Sequence, residues 1–168
     1  DVVYSFVPVS SDNCTGATFT VTVTVNPEPE VADQNTTICS ASAVDLTLGD
    51  DTDGPFVASY ELTAITPASG LVADAANATV GTTLASDAIA LDVWTNTATT
   101  PQDVVYSFVP VSSDNCTGAT FTVTVTVSPL PIPEPVIIPS QCDDDTDGLQ
   151  TFDMSGVASQ VVGTQADM

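Results

Sequence analysis

The chain has 168 residues, of which 22 are acidic and none is Lys, Arg or His, so its formal net charge of -22 has no internal counter-charge. Nucleic-acid binding needs Lys and Arg to neutralise phosphates, and attachment to anionic lipid surfaces needs the same residues, so neither partner fits. Without His, no Ser-His or Cys-His nucleophile can be assembled, and acid–base chemistry would fall to carboxylates alone.

An internal repeat organises the sequence. Residues 1–25 read DVVYSFVPVSSDNCTGATFTVTVTV, and residues 103–127 repeat them letter for letter, a period of 102 residues. That length suits one β-sandwich module of about 100 residues and is too long for a solenoid repeat. Each copy is followed by a Pro-rich stretch, Asn26 to Glu30 and Ser128 to Pro139, whose prolines favour a stiff, extended path. The expected division is therefore the last strands of one module in 1–26, a complete module in 27–128, and a linker with the start of a different module in 129–168.

Within 27–128 the pattern predicts short strands. Val44 to Leu48 and Phe56 to Ile65 are the first two, separated by Gly54-Pro55; Pro67 and Gly70 end the second. Ile89, Leu91 and Val93 fall in phase for a third strand, and Trp94 beside them is expected in the core. In Val104 to Val111, Tyr106 and Phe108 share a face, and Pro110 places that strand at an edge or bulge because it cannot donate to a ladder. Ala119 to Val127 is the clearest strand, with Phe121, Val123, Val125 and Val127 alternating with Thr. No stretch sustains an amphipathic helical period, so the expectation is an all-β sandwich.

Carboxylate-based catalysis finds no support. Of the four Glu, three (Glu28, Glu30 and Glu134) lie in Pro-rich segments, and Asp51-Thr52-Asp53-Gly54 departs from Asp-Thr-Gly by an inserted Asp. The expectation is no catalytic residue and no enzyme. No apolar run approaches the roughly 20 residues that span a bilayer.

The four cysteines, Cys14, Cys39, Cys116 and Cys142, include no close pair of the kind zinc sites use. The simplest pairing closes the complete module on itself, Cys39 to Cys116, with Cys14 and Cys142 bonded to cysteines outside the sequence. Oxidised cysteines imply an exported protein. One constellation has ligand chemistry: Asp143, Asp145 and Asp147 before Gly148 form D-x-D-x-D-G, the first half of a calcium loop. The twelfth position is Met154, which cannot coordinate, so Ca2+ would need completion by Asp153 or a neighbouring module. Asp50, Asp51 and Asp53 before Gly54 form a weaker cluster, and the alternative for both is a pair of solvated Asp-Gly turns. Asn13, Asn35, Asn77 and Asn115 lie in N-x-S/T sequons.

Taken together, Ile38-Cys39-Ser40, the YSF and NCTGATFTVTVTV segments, and the NPEP or SPLP that follows resemble the PKD-like, immunoglobulin-like repeats of giant Bacteroidota surface proteins. The segment from Gln141 to Met168 is similar to another module recurring in that class, near type IX secretion signals and gliding-motility adhesins. The resemblance implies an extracellular, cell-surface location, neighbouring modules of the same chain as partners, and a structural role in a long adhesin or a homo-oligomeric filament. The second expectation is a carbohydrate- or protein-binding module, which an exposed Trp94 or Tyr60 beside an acidic loop would favour.

Overall fold

The computed structural model describes residues 1–50, 54–142 and 147–162. Among the described residues, nine strands form, in chain order β1 (Val2–Phe6), β2 (Phe19–Val23), β3 (Gln34–Cys39), β4 (Val57–Pro67), β5 (Leu71–Ala73), β6 (Thr83–Leu84), β7 (Trp94–Asn96), β8 (Gln102–Ser112) and β9 (Phe121–Ser128), with one short helix, α1 (Val157–Val162). The fold is all-β. β1 and β2 make a hairpin of their own, and the central sheet runs β3-β9-β8-β4-β6 with β5-β7 as a separate pair.

The alternation of apolar and hydroxylated residues decides which face of the central sheet is dry. Val104, Tyr106 and Phe108 of β8 and Phe121, Val123, Val125 and Val127 of β9 all point into the core, while the intervening Thr and Ser residues of β9 stay half-exposed. Leu71 of β5, Trp94 of β7, and Val44, Leu48 and Ile89 from irregular segments close the opposite side. Aromatic rings fill the middle: Phe108 stacks on Phe121 at 5.6 Å, Tyr106 on Phe108 at 6.2 Å, and Tyr60 meets Phe121 edge-on at 6.1 Å.

Two expected strands do not form. Val44 and Leu48 are buried, but the segment is held by single backbone bonds, Val44 N–H to Asp92 O and Leu48 N–H to Ser86 O, in place of a ladder. Residues 87–91 are a run of turns, which buries Ile89 and turns Leu91 out to solvent, so the period of two there was coincidental. β8 lies inside the sheet, not at its edge. Pro110 is accommodated because the β8–β9 ladder stops at Phe108↔Phe121, so its missing N–H lies beyond the last rung, and its carbonyl accepts from Gly118 N–H at 2.9 Å. The opposing β4 is irregular between Leu62 and Ala64.

The edge strand beside β9 is β3. It pairs parallel to β9 over six positions, from Gln34↔Val123 to Cys39↔Ser128. The chain thus enters the sheet at one end and leaves at the other.

Candidate functional site

Among the described residues, Asp92 is the buried carboxylate, and it belongs to a chain of hydrogen bonds running through the core. Trp94 Nε1–H donates to Tyr106 Oη at 2.6 Å, Tyr106 donates to Asp92 Oδ2 at 2.8 Å, and Ala78 N–H donates to Asp92 Oδ1 at 2.8 Å. Burial pushes the Asp92 carboxyl above the ordinary carboxylate range, against the lowering effect of bonds from Ala78 and Tyr106. Burial likewise raises the Tyr106 phenol. Both carboxylate oxygens are occupied, so this carboxylate ties the β7 end of the molecule to β8 and presents no atom to a substrate. Asn96 does the same at the exit end, donating to Val127 O at 2.7 Å and Thr100 O at 2.9 Å while its N–H donates to Ser40 Oγ at 2.9 Å.

Ahead of β3, the Pro-rich segment packs into the same core. Pro29 is fully buried and Val31 joins the core. The Pro29 carbonyl lies so close to Gly118 that a Cβ there would sit 1.8 Å from its oxygen, so only Gly fits. Asp33 Oδ1 accepts from Thr122 N–H at 2.6 Å, fixing the start of β9, and Cys116 Sγ lies 3.9 Å from the Asn26 carbonyl oxygen. Linker and hairpin loop therefore meet through backbone, Gly and Cys.

All four cysteines are free thiols. The expected bridge between Cys39 and Cys116 is not formed, and the register gives the reason. Cys39 is level with Ser128, the last residue of β9, whereas Cys116 precedes Phe121, the first. Seven residues of strand separate those levels by about 23 Å, against the roughly 4.4–6.8 Å between Cα atoms that a disulfide allows. Cys14 and Cys142 are exposed.

Of the acidic candidates, Asp143, Asp145, Asp51 and Asp53 lie outside the described residues. Asp147 Oδ1 accepts from Leu149 N–H at 2.7 Å beside Gly148 at φ 79°, and Asp153 Oδ1 accepts from Ser155 N–H at 2.9 Å, both turns that an Asp makes with its own backbone. Those bonds from Ser155 hold the Asp153 carboxyl below its ordinary value. Asp50 Oδ1 accepts from Val57 N–H at 2.8 Å. Among the described residues, no group of three Cys, Asp or Glu side chains converges as a metal site would require. Trp94 and Tyr60 are both buried, the latter donating to Gly49 O at 2.6 Å, so neither offers a ring to a sugar.

The decisive comparison is with protein families. A family model described as a PKD-like domain matches residues 1–29 and 36–131, most of the chain. The chain belongs to the PKD-like domain family. No curated protein and no solved structure matches it. Among the described residues, no helix of this PKD-like chain is long and apolar enough to cross a membrane.

Proposed function

We propose that the chain is a load-bearing spacer from an extracellular tandem-repeat protein, a non-catalytic segment that holds other parts of a surface adhesin or filament away from the cell. The observation that carries this reading is the parallel pairing of β3 with β9. Because the first and last strands of the module run the same way, entry and exit lie at opposite ends, and modules joined in series extend a line. The eight residues of β9 span about 26 Å at 3.3 Å per residue.

The same pairing governs how tension is resisted. A pull on the two ends slides β3 along β9, and the rungs joining them are loaded together instead of being peeled one at a time. The bare acidic charge suits this role, since neighbouring chains repel except where salt screens them.

Single-molecule stretching tests the proposal. Ser40 N–H donates to Ser128 O, and alternation along the strand turns the Thr36 N–H toward β9 and the Thr37 N–H away from it. Thr36→Pro is expected to lower the unfolding force of the module and Thr37→Pro to leave it nearly unchanged, since an outward N–H on an edge strand is dispensable. Equal forces for the two variants and the parent chain would overturn the shear clamp.

A further inference from the structure

Cys116 and Cys39 lie at opposite ends of the β3–β9 pair, each beside a carbonyl that follows a TVTVTV run. At the entry end, Cys116 Sγ lies 3.9 Å from the carbonyl oxygen of Asn26. At the exit end, Cys39 is the register partner of Ser128, and the next N–H along, that of Ser40, donates to the Ser128 carbonyl at 2.8 Å. Asn26 and Ser128 occupy the same position of the 102-residue period, each following directly on TVTVTV. In an array, one peptide carbonyl at each junction is therefore neighbour to two cysteines: the backbone of Cys39 of the module that ends there, and the thiol of the Cys116 counterpart of the module that begins there.

We propose that the cysteines form inter-module disulfides, each linking Cys39 of one module to the Cys116 counterpart of the next. Adjacent strands lie about 4.8 Å apart, which places the Cys39 backbone within a disulfide's reach of the shared carbonyl, and Cys116 approaches that carbonyl from the loop of the following module. Cys39 is exposed and Cys116 is half-buried at the linker, so an oxidant can reach the pair. The chemistry is thiol–disulfide exchange with a small disulfide or an oxidoreductase of that class. One thiolate attacks the oxidant's disulfide and releases its first thiol; the second thiolate then attacks the protein sulfur of the mixed disulfide and releases the other. Two protein thiols are oxidised and one external disulfide is reduced to two thiols. Cys14 takes the Cys116 role toward the module before it.

The inference rests on the reading of the chain as one stretch of a tandem array, and it turns the Pro-rich linker into one arm of a closed loop whose other arm is covalent. Tension then passes through the staple as well as the linker.

The test keeps residues 1–168 intact and places a copy of residues 27–102 ahead of Asp1, which completes the preceding module with its own sequence. The folded protein is oxidised with glutathione disulfide, and free thiols are counted on monomers isolated without reductant. Buried Trp94 fluorescence confirms the fold of each variant. Two thiols are expected to disappear, and the loss is expected to vanish with Cys116→Ser or with Cys39→Ser in the copy. It is expected to persist with Cys14→Ser or with Cys39→Ser at its original place. A full thiol count after oxidation, a loss that depends on the original Cys39, or bridges found only between molecules would each overturn the proposal. Stretching reads the shear clamp independently of oxidation, so the two can fail separately.

Discussion

One 25-residue sequence occurs twice in this chain, and its two copies have different surroundings. Both fold as the same hairpin: Val2↔Val23, Tyr4↔Val21 and Phe6↔Phe19 in the first are matched by Val104↔Val125, Tyr106↔Val123 and Phe108↔Phe121 in the second. Yet Tyr4 is 50% exposed and Tyr106 0%, and Phe6 is 46% exposed and Phe108 0%. The second copy lies between β3 and β4 and under Trp94; the first pairs with neither kind of neighbour. Pairing register and turn are thus set within the 25 residues, whereas the dry core and its hydrogen-bonded Asp92 come from residues elsewhere in the module. An isolated two-stranded hairpin is marginal in water, so almost all the free energy that separates the copies is tertiary.

The sharpest way to test that difference is to truncate the same side chain in each. Phe108→Ala removes a fully buried ring stacked on both Tyr106 and Phe121 and is expected to destabilise the module by about 3–5 kcal/mol. Phe6→Ala, chemically the same change, is expected to leave the free energy of denaturant unfolding within about 0.5 kcal/mol of the parent. Comparable losses would mean that the first copy has a buried environment in solution.

A smaller effect is expected from removing one oxygen. Tyr106→Phe leaves Trp94 Nε1 without its acceptor and Asp92 Oδ2 without its donor inside the core, a loss of about 1–3 kcal/mol, or more if the carboxylate stays charged. Tyr4→Phe has no such network to break. The pH dependence follows from the same group. Since burial raises the folded Asp92 value above the unfolded one, the native state binds more protons in the window between the two values, and stability falls as pH rises through it. With no Lys, Arg or His to lose salt bridges, the expectation is that the complete module melts higher near pH 4 than at pH 7. Asp153 has the opposite sign, its stabilisation being lost as pH falls through its lowered folded value, but it lies beyond β9, outside the central sheet. Calorimetry of the parent and Asp92→Asn separates the terms: the substituted protein is expected to show the shallower pH slope.

What could be read in the sequence divides along the same line. The two strands whose apolar residues alternate with Thr or Ser over many positions, β8 and β9, were legible, as was the burial of Trp94. β3 was not, because Gln34–Cys39 carries only Ile38 as a large apolar side chain; it is a strand because β9 offers it an edge. Ile89, Leu91 and Val93 imitated a strand, but Ala88, Ala90 and Asp92 N–H donate to the carbonyls of Ala85, Asp87 and Ile89, which holds the segment as a run of turns. The Asp92 chain left no local mark, since its partners come from three separate segments. The cysteine spacing suggested a closed module, and only the parallel direction of β3 shows that the two positions lie at opposite ends.

The smallest predicted effect concerns the loop, where the copies should agree. Asn13 and Asn115 both adopt positive φ, 61° and 60°, and the surrounding bonds repeat: Asn13 N–H to Ser10 O and Asn115 N–H to Ser112 O, each at 3.0 Å. Ser10 Oγ and Ser112 Oγ accept from Cys14 and Cys116 N–H at 3.1 and 3.2 Å. The turn therefore holds its shape with or without a core beneath it. Asn tolerates the left-handed region and Gly does so freely, whereas Ala there costs about 1 kcal/mol. Asn115→Ala is expected to lower the stability of the complete module by about that amount, and Asn115→Gly to leave it almost unchanged. Amide chemical shifts of Ser10 to Gly16 in Asn13→Ala should move as those of Ser112 to Gly118 do in Asn115→Ala. A response in only the second copy would show that the loop conformation is imposed by Pro29 and the linker, which touch Gly118 but have no counterpart over Gly16.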